Sequence, residues 1–192
     1  DPSGGVFYPD YFGKDFVLND LTHDGGLTAI RIEGPTNSVD QRANRLSKEL
    51  GLLDQELSIL DSEQSNIFWS RTKNLEVFKS LKSNLLRIVL PMSETLQVIQ
   101  KLKNFEIKYF IDWGGGLIWA SFDQLNTKIL SEIKDTVKKH QGYITLIKVE
   151  EDLKASADIF TIDPIKYKIS EKIKRSFDPK RIFNPGKMYT GI

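Results

Sequence analysis

The amino-acid sequence predicts an α+β fold, a ferredoxin-like βαββαβ core with an extended antiparallel sheet and helices mainly on one face. This prediction depends on three apolar runs, at residues 85–91, 107–121 and 143–149, and on the helical periodicity between them. Three glycines at 114–116 interrupt the middle run. Glycine permits the positive φ values that a tight reversal needs, so residues 107–121 are predicted to form a hairpin.

Local signals also predict the two helices of this core. Pro91 ends the strand LLRIVLP, and Ser93 is predicted to cap the first helix, with Leu96 on its apolar side. The second helix is predicted over residues 124–140, where apolar residues recur every four positions. Gly142 is predicted to end it, and the strand YITLIKV completes the βαββαβ order.

The residues before this core predict further elements that extend the same sheet. The expected strands cover residues 5–12, 15–18, 27–33 and 56–60, and the expected helices cover 37–50 and 61–73. Asn37 or Ser38 is predicted to cap the first of these helices and Gly51 to end it, while Asp61 and Gln64 have the spacing of a capping box. No linker composition separates the two halves, so residues 1–192 are predicted to be a single domain.

The C-terminal part predicts one more helix and a turn. Asp163 and Pro164 suit the cap and the first position of a helix. Isoleucines at intervals of four predict a buried stripe on it: Ile165, Ile169 and Ile173. In the ending KRIFNPGKMYTGI, Asn184 is expected to be extended because a proline follows it, and Pro185-Gly186 suits a type II turn.

Composition excludes several classes of chemistry. The chain has 192 residues, 40% of them apolar, no cysteine and two histidines, His23 and His140. Disulfides, thiolate zinc sites, cysteine nucleophiles and a zinc site of three histidines within one chain are therefore excluded. Neither histidine has an obvious partner, so both are predicted to lie on the surface. No apolar run approaches the length of a membrane-spanning helix.

Charge is unevenly distributed, although the net charge is only +1. Residues 166–187 contain 8 basic and 2 acidic side chains. Such a run is typical of a solvated face, and the alternatives are a docking surface for an acidic partner, a membrane surface or a phosphate-bearing ligand. Nucleic acid is disfavoured because the run lacks interleaved aromatic residues and a known reader motif.

Three residues in the predicted core are candidates for ligand contact. Asp112 and Trp113 stand where the first hairpin strand enters the glycine turn, and Arg87 lies within the apolar strand LLRIVLP. The alternatives are a solvated turn aspartate and an ion pair of Arg87 with Asp112 or another strand acid. Phosphate-binding glycine loops and the GxSxG elbow are absent from the sequence. From the residues alone, the chain is a soluble α+β domain without a complete active site.

Four segments nevertheless carry a family resemblance: IRIEG (30–34), LLRIVLP (85–91), IDWGGGLIWA (111–120) and FDPKRIFNPGKMY (177–189). In order and spacing, the chain resembles the C-terminal, or cap, domain of the FAD-binding subunits of bacterial glycolate oxidase. These belong to the FAD-linked oxidoreductases of the vanillyl-alcohol oxidase type. One departure is the segment 141–145, QGYIT, in which a tyrosine replaces the histidine of the motif GGHAT that related subunits often carry.

The resemblance implies a flavin enzyme of which this chain is one part. FAD is expected to be held mainly by a separate N-terminal domain, and the tail 177–192 is expected to pack on that domain. Asn184, Gly186 and Lys187 are then the residues nearest to the cofactor. Arg87, Asp112 and Trp113 become candidates for contact with a small 2-hydroxy-acid substrate. No metal site is expected, and the chain alone is expected to be colourless and inactive.

The resemblance also implies partners and a location. The expected partners are a second flavin subunit and an iron–sulfur subunit. The expected location is the cytoplasm, with peripheral contact at the inner face of the membrane as a variant. The alternative to this whole interpretation is a stand-alone ferredoxin-like binding module without catalysis, since fold alone does not decide function. The native sequence upstream of Asp1 discriminates between the two.

Overall fold

The computed structural model describes residues 2–12, 25–51, 57–81, 84–161, 163–187, 189 and 192. Within them, the strands are β1 (Gly4–Tyr8), β2 (Leu27–Arg31), β3 (Asn84–Val89), β4 (Ile107–Asp112), β5 (Leu117–Phe122) and β6 (Tyr143–Lys148). The α-helices are α1 (Thr36–Glu49), α2 (Ser62–Lys73), α3 (Thr95–Leu102), α4 (Thr127–Lys139), α5 (Glu151–Ser156) and α6 (Pro164–Phe177). No helix in these ranges is both long enough and apolar enough to cross a bilayer.

The six strands form one sheet in the order β2-β1-β4-β5-β3-β6. The ladders β1–β2, β1–β4, β3–β5 and β3–β6 are all antiparallel. From β3 to β6 the chain follows the order β3-α3-β4-β5-α4-β6, and β3 lies between β5 and β6. This is the arrangement of a ferredoxin-like unit. The predictions of an α+β fold, a βαββαβ core, its hairpin and one extended sheet are therefore confirmed.

The chain divides into two compact units, the first formed by Asp1–Leu81 with Phe110–Gly114 and the second by Lys82–Tyr109 with Gly115–Ile192. The core of the first unit is aromatic. The ring centroids of Tyr8 and Phe110 lie 4.8 Å apart, those of Phe78 and Phe110 lie 5.6 Å apart, and Phe68 meets Tyr8 edge-on at 6.3 Å. The Tyr8 hydroxyl donates to Thr72 Oγ1 at 2.9 Å, which provides a partner for a polar group in an otherwise apolar core.

Several predictions for the first unit need correction. The expected strand 5–12 ends at Tyr8, because Pro9 follows and residues 10–12 form a 3₁₀ turn. Residues 57–60 form no strand, and residues 15–18 lie outside the described residues. Pro35 precedes α1 without a side-chain cap, so the capping prediction for Asn37 or Ser38 is wrong. The capping box is confirmed: Asp61 Oδ1 accepts from Gln64 N at 2.8 Å, and Gln64 Oε1 accepts from Asp61 N at 3.2 Å.

The core of the second unit consists of cross-strand rows and two helices. Fully or nearly fully buried residues lie opposite one another in the rows Ala120–Leu86–Leu146 and Ile118–Ile88–Ile144. The buried apolar residues of α3 and α4 are Val98, Ile99, Leu102, Leu130, Ile133 and Val137. Side chains alternate between the two faces of a strand, so Arg87 lies on the opposite face from Leu86 and Ile88.

The helix ends of this unit differ from the predictions. Ser93 does not cap α3, since residues 92–94 form a 3₁₀ turn before it, and Leu96 is exposed. At the end of α4 the residue with positive φ is Gln141, at +59°, and not Gly142. Gly142 is required for a different reason: a Cβ there would lie 2.7 Å from Val137 Cγ1. Close packing, rather than a left-handed backbone, selects the glycine.

The last helix begins as predicted, but none of its residues is buried. Asp163 Oδ1 accepts from Ile165 N at 2.9 Å and from Lys166 N at 3.0 Å, and proline occupies the first turn. The isoleucines of the expected buried stripe are between 52% and 72% exposed. That prediction is wrong, because periodicity identifies an apolar face without providing a surface to cover it.

Candidate functional site

The hairpin turn holds one candidate residue, Trp113, in an unusual backbone conformation. Trp113, Gly114 and Gly115 have φ values of +55°, +60° and +115°. A non-glycine residue in the left-handed region costs roughly 1–2 kcal/mol. The Trp113 side chain is nevertheless 57% exposed, so burial of the indole does not explain this strained position. Strain of this kind at an exposed aromatic residue is typical of functional loops.

Asp112 is fixed directly beside this tryptophan. Asp112 Oδ1 accepts a hydrogen bond from Trp113 N at 2.7 Å. Partial burial raises the pKa of the Asp112 carboxyl, and the hydrogen bond from Trp113 N opposes that shift. Burial also raises the pKa of the Tyr8 hydroxyl, and the Asp112 charge adds to that effect. The turn therefore presents an oriented carboxylate next to an exposed indole.

A close approach of β1 accompanies this turn within the first unit. A Cβ built on Gly5 would lie 3.3 Å from Gly114 Cα. Phe7 pairs with Ile111 in the ladder between β1 and β4. Glycine at position 5 lets the strand pass close beside the turn, and a Cβ there would require a shift of a few tenths of an ångström.

Arg87 lies in the second unit, in a row of side chains that cross three strands. Its register partners are Trp119 on β5 and Thr145 on β6. Directly opposed residues of an antiparallel ladder project from the same face, so the three side chains are neighbours. All three are partly exposed, whereas the rows on the other face are buried. A guanidinium beside an indole and a hydroxyl can bind a carboxylate in bidentate fashion.

The three cofactor candidates form a turn near the C-terminus. Asn184 has φ +47° and Gly186 has φ +68°, and Lys187 N donates to Asn184 O at 3.3 Å. Asn184 is therefore left-handed and not extended, which corrects the prediction, whereas the turn at Pro185-Gly186 is confirmed. Gly186 N donates to Ile192 O at 2.7 Å. All three candidate residues are exposed.

The same tail partly packs on its own unit. Tyr189 is buried, with ring centroids 5.9 Å from Phe160 and 6.2 Å from Tyr167. Ile182 and Phe183, in contrast, are exposed. Of these apolar residues, Ile182 and Phe183 therefore lack cover from the described residues, whereas Tyr189 has it. Met188 lies outside the described residues.

Two clusters were not found from the sequence. Asp178, the residue directly after α6, is buried and accepts from Lys174 Nζ, Ile182 N and Phe183 N at 2.8–2.9 Å. These hydrogen bonds, led by the one from Lys174, lower the pKa of Asp178 to about 2. The sequence signal that could have indicated this cluster is an aspartate placed directly after the helix and before Pro179.

The second of these clusters contains a histidine predicted to be on the surface. His140 is buried, its Nδ1 lies 2.6 Å from Glu94 Oε2, and its Nε2 lies 2.8 Å from Lys101 Nζ. With a neutral ring, Nδ1–H donates to the carboxylate and Nε2 accepts from the ammonium. The surface prediction for His140 is wrong, and His23 lies outside the described residues. Among the described residues, no group of three His, Asp or Glu side chains has the geometry of a metal site.

Comparison with known proteins identifies one similarity over most of the chain. The chain is 26% identical over 166 residues to the glycolate oxidase subunit GlcE of Escherichia coli strain K12. The match covers 85% of this chain and 39% of that subunit, so the chain spans about two fifths of the length of this relative. No family model matches the sequence.

Proposed function

We propose that this chain is the cap domain of an FAD-dependent oxidoreductase subunit that acts on a small 2-hydroxy acid of the glycolate type. The observation that carries the proposal is the similarity to a glycolate oxidase subunit over 85% of the chain. The continuous sheet with an Arg-containing face supports it, because such a face can cover a substrate bound at a cofactor held elsewhere. FAD, when bound, supplies the chemistry by accepting the electrons of the oxidised alcohol carbon.

The role of Arg87 in this proposal is to hold the substrate carboxylate. Its side chain shares one sheet face with Trp119 and Thr145, and none of these positions belongs to the buried rows that form the core. A guanidinium makes two parallel hydrogen bonds to a carboxylate, which fixes orientation as well as charge. Asp112 and Trp113, in the hairpin turn of the first unit, are proposed as separate candidates for substrate contact.

The tail is proposed to contact the cofactor through side chains and not through its backbone. The backbone N–H groups of Gly186 and Lys187 already donate within the tail, to Ile192 O and Asn184 O. The exposed side chains of Asn184 and Lys187 remain to donate to phosphate or ring oxygens of FAD. Such contacts form one edge of a cofactor site, which agrees with FAD being held mainly by another domain. Gly186 would keep the turn in its positive-φ conformation.

The same proposal includes the assembly. A subunit of this kind works with a second flavin subunit and an iron–sulfur subunit, in the cytoplasm or peripherally at the inner membrane face. The single-domain assignment of residues 1–192 and the packing of residues 177–192 on the flavin domain are parts of this proposal.

The experiment compares this chain with the product of the complete reading frame that encodes it. Absorbance in the flavin band is read after incubation with FAD, together with dye reduction by glycolate. We expect this chain to be colourless and inactive, and the complete product to bind flavin. Tightly bound flavin and turnover by residues 1–192 alone would contradict the cap-domain proposal. A complete product without flavin affinity would favour the stand-alone binding module.

A prediction for Arg87 tests the substrate role directly. In the active complete protein or assembly, Arg87→Ala should reduce kcat/KM for the 2-hydroxy acid by roughly 10- to 150-fold, since a charge-assisted hydrogen bond contributes about 1.5–3 kcal/mol. Arg87→Lys should recover only part of the loss, because an ammonium lacks the bidentate geometry. Flavin absorbance should stay unchanged. Normal kinetics with a much lower melting temperature would instead show that Arg87 forms a structural ion pair.

A further inference from the structure

The cluster of Glu94, Lys101 and His140 has the layout of an assisted nucleophile. Glu94 belongs to the 3₁₀ turn before α3, Lys101 to the last turn of α3, and His140 follows directly after α4, all within the second unit. Glu94 Oε2 lies 2.6 Å from His140 Nδ1, and His140 Nε2 lies 2.8 Å from Lys101 Nζ. A base within hydrogen-bond reach of a nucleophile, and itself oriented by a third group, is the arrangement by which proteins activate weak nucleophiles.

The three groups differ in burial in the way that such an assembly needs. His140 is buried, so its ring is fixed between its two partners. The Glu94 side chain is 29% exposed, and Lys101 is exposed. The base is therefore held inside the fold, while the amine remains accessible to a reagent from solution.

The two hydrogen bonds define a path for the proton that a reacting lysine must lose. An ordinary lysine is almost entirely protonated at neutral pH, and its ammonium has no lone pair with which to attack. When the ring is neutral and its Nδ1–H is donated to Glu94, Nε2 accepts from the Lys101 ammonium. Transfer of that proton to Nε2 leaves a free amine, and the Glu94 carboxylate stabilises the imidazolium that results.

The charges near this amine favour an anionic reagent. Lys103 follows Lys101 in the chain, Lys138 and Lys139 directly precede His140, and all three are exposed. A group of cations of this kind raises the local concentration of anions. A small acyl phosphate suits both properties of the cluster, because it carries negative charge and its acyl carbon is an electrophile for an amine.

We propose that Lys101 is an acyl-acceptor site that reacts directly with small acyl phosphates, with His140 as the general base and Glu94 as the residue that positions it. The amine attacks the carbonyl carbon, an amide bond forms, and the bond between that carbon and the phosphate oxygen breaks. The phosphate leaves with the electron pair of that bond. Of the two protons that the ammonium loses, one passes through His140 to solvent and the other goes to the departing phosphate. This modification site is independent of flavin and of the proposed function.

The test measures acetylation at each lysine of the complete protein. The folded protein is incubated with acetyl phosphate near neutral pH, and the remaining amines are then labelled to completion with isotopically heavy acetyl groups in denaturant. Digestion at acidic residues and mass spectrometry give the rate at each position. Lys139 is the matched control, because it is exposed and adjoins the same histidine in the chain. We expect Lys101 to react at least ~10-fold faster than Lys139, since general-base assistance typically contributes about 10²–10⁴-fold.

Variants of the base and of its carboxylate partner test the mechanism. His140→Gln should lower the rate at Lys101 to that at Lys139, because an amide forms hydrogen bonds but does not take the proton. Added imidazole should restore part of the rate in His140→Ala, which a purely structural role would not do. The double variant with Glu94→Gln should respond less to imidazole, because the added base then lacks its carboxylate. The rate at Lys139 should stay unchanged in every variant.

The charge of the reagent is tested with salt. Added salt should slow the reaction of Lys101 with acetyl phosphate more than its reaction with the neutral ester p-nitrophenyl acetate, since screening weakens the attraction of anions. An equal response to salt would overturn the assignment of acyl phosphates as the reagent.

Three other outcomes would overturn the proposal. Equal rates at Lys101 and Lys139 in the wild-type complete protein would show that the cluster gives no assistance. A fast reaction at Lys101 that persists in His140→Gln would assign the rate to exposure and local charge alone. A folded His140→Ala variant that imidazole does not restore would show that the ring is only a structural partner of Lys101.

Discussion

Exchange of the glycine at the end of α4 tests whether close packing or backbone conformation selects that residue. A Cβ on Gly142 would lie 2.7 Å from Val137 Cγ1, 2.9 Å from Val89 O and 3.0 Å from Leu90 Cβ. Val89 O belongs to the backbone of a strand and cannot rotate away. Overpacking of a well-packed site typically costs about 1–3 kcal/mol, so Gly142→Ala should lower the free energy of unfolding by that amount.

The neighbouring residue should respond in the opposite direction. Gln141 has φ +59°, a conformation that costs a non-glycine residue roughly 1–2 kcal/mol. Glycine relieves this strain, but its greater backbone freedom favours the unfolded state by about 0.4–1 kcal/mol. Gln141→Gly should therefore stabilise the protein by about 0.5–1 kcal/mol, the approximate difference between the two effects.

Urea unfolding followed by circular dichroism, together with thermal melting, measures both changes. For a chain of this length, 1 kcal/mol corresponds to about 2–4 °C in Tm, so Gly142→Ala should lower Tm by about 2–12 °C. Gly51→Ala is the control, because Gly51 has φ +65° with open space around its Cβ position and only the conformational cost applies. A harmless Gly142→Ala together with a destabilising Gln141→Gly would refute the packing argument.

Two further predictions concern buried polar groups. In the first unit, Tyr8→Phe and Thr72→Val should each lower the free energy of unfolding by about 1 kcal/mol. A double-mutant cycle measured by urea unfolding should give a coupling energy of about 0.5–1.5 kcal/mol for the 2.9 Å hydrogen bond between the two side chains. Purely additive losses would show that this hydrogen bond does not contribute to stability. In the second unit, the pKa of Asp178 is lowered to about 2 in the folded protein, below the value of about 3.9 for an unfolded aspartate. The ionised carboxylate therefore stabilises the folded protein above about pH 4, and this contribution is lost as the pH falls through 2. Asp178→Asn should therefore reduce the drop in Tm between pH 5 and pH 2, and an unchanged drop would show that Asp178 does not contribute to acid sensitivity.

The sequence by itself determined the elements whose signals are local. The hairpin of β4 and β5 follows from apolar runs around three glycines, and the capping box of Asp61 and Gln64 from a spacing of three residues. The start of α6 follows from Asp163 and Pro164 in the same way. The pattern of elements between residues 85 and 149 was sufficient for the ferredoxin-like order. Each of these features depends on contacts within a few residues, or on the small number of topologies that this order of elements permits.

Only the tertiary structure decided which apolar and polar residues have partners. Periodicity shows that Ile169 lies on an apolar face, but burial depends on whether another element covers that face, and none of the described ones does. His140 is buried, and the carboxylate that pairs with its ring belongs to Glu94, 46 residues away in the chain. Arg87 acquires Trp119 and Thr145 as neighbours only through the register of two ladders. The sequence could thus name individual candidate residues but not the neighbours that the fold gives them, because long-range pairing brings together groups that no local pattern relates.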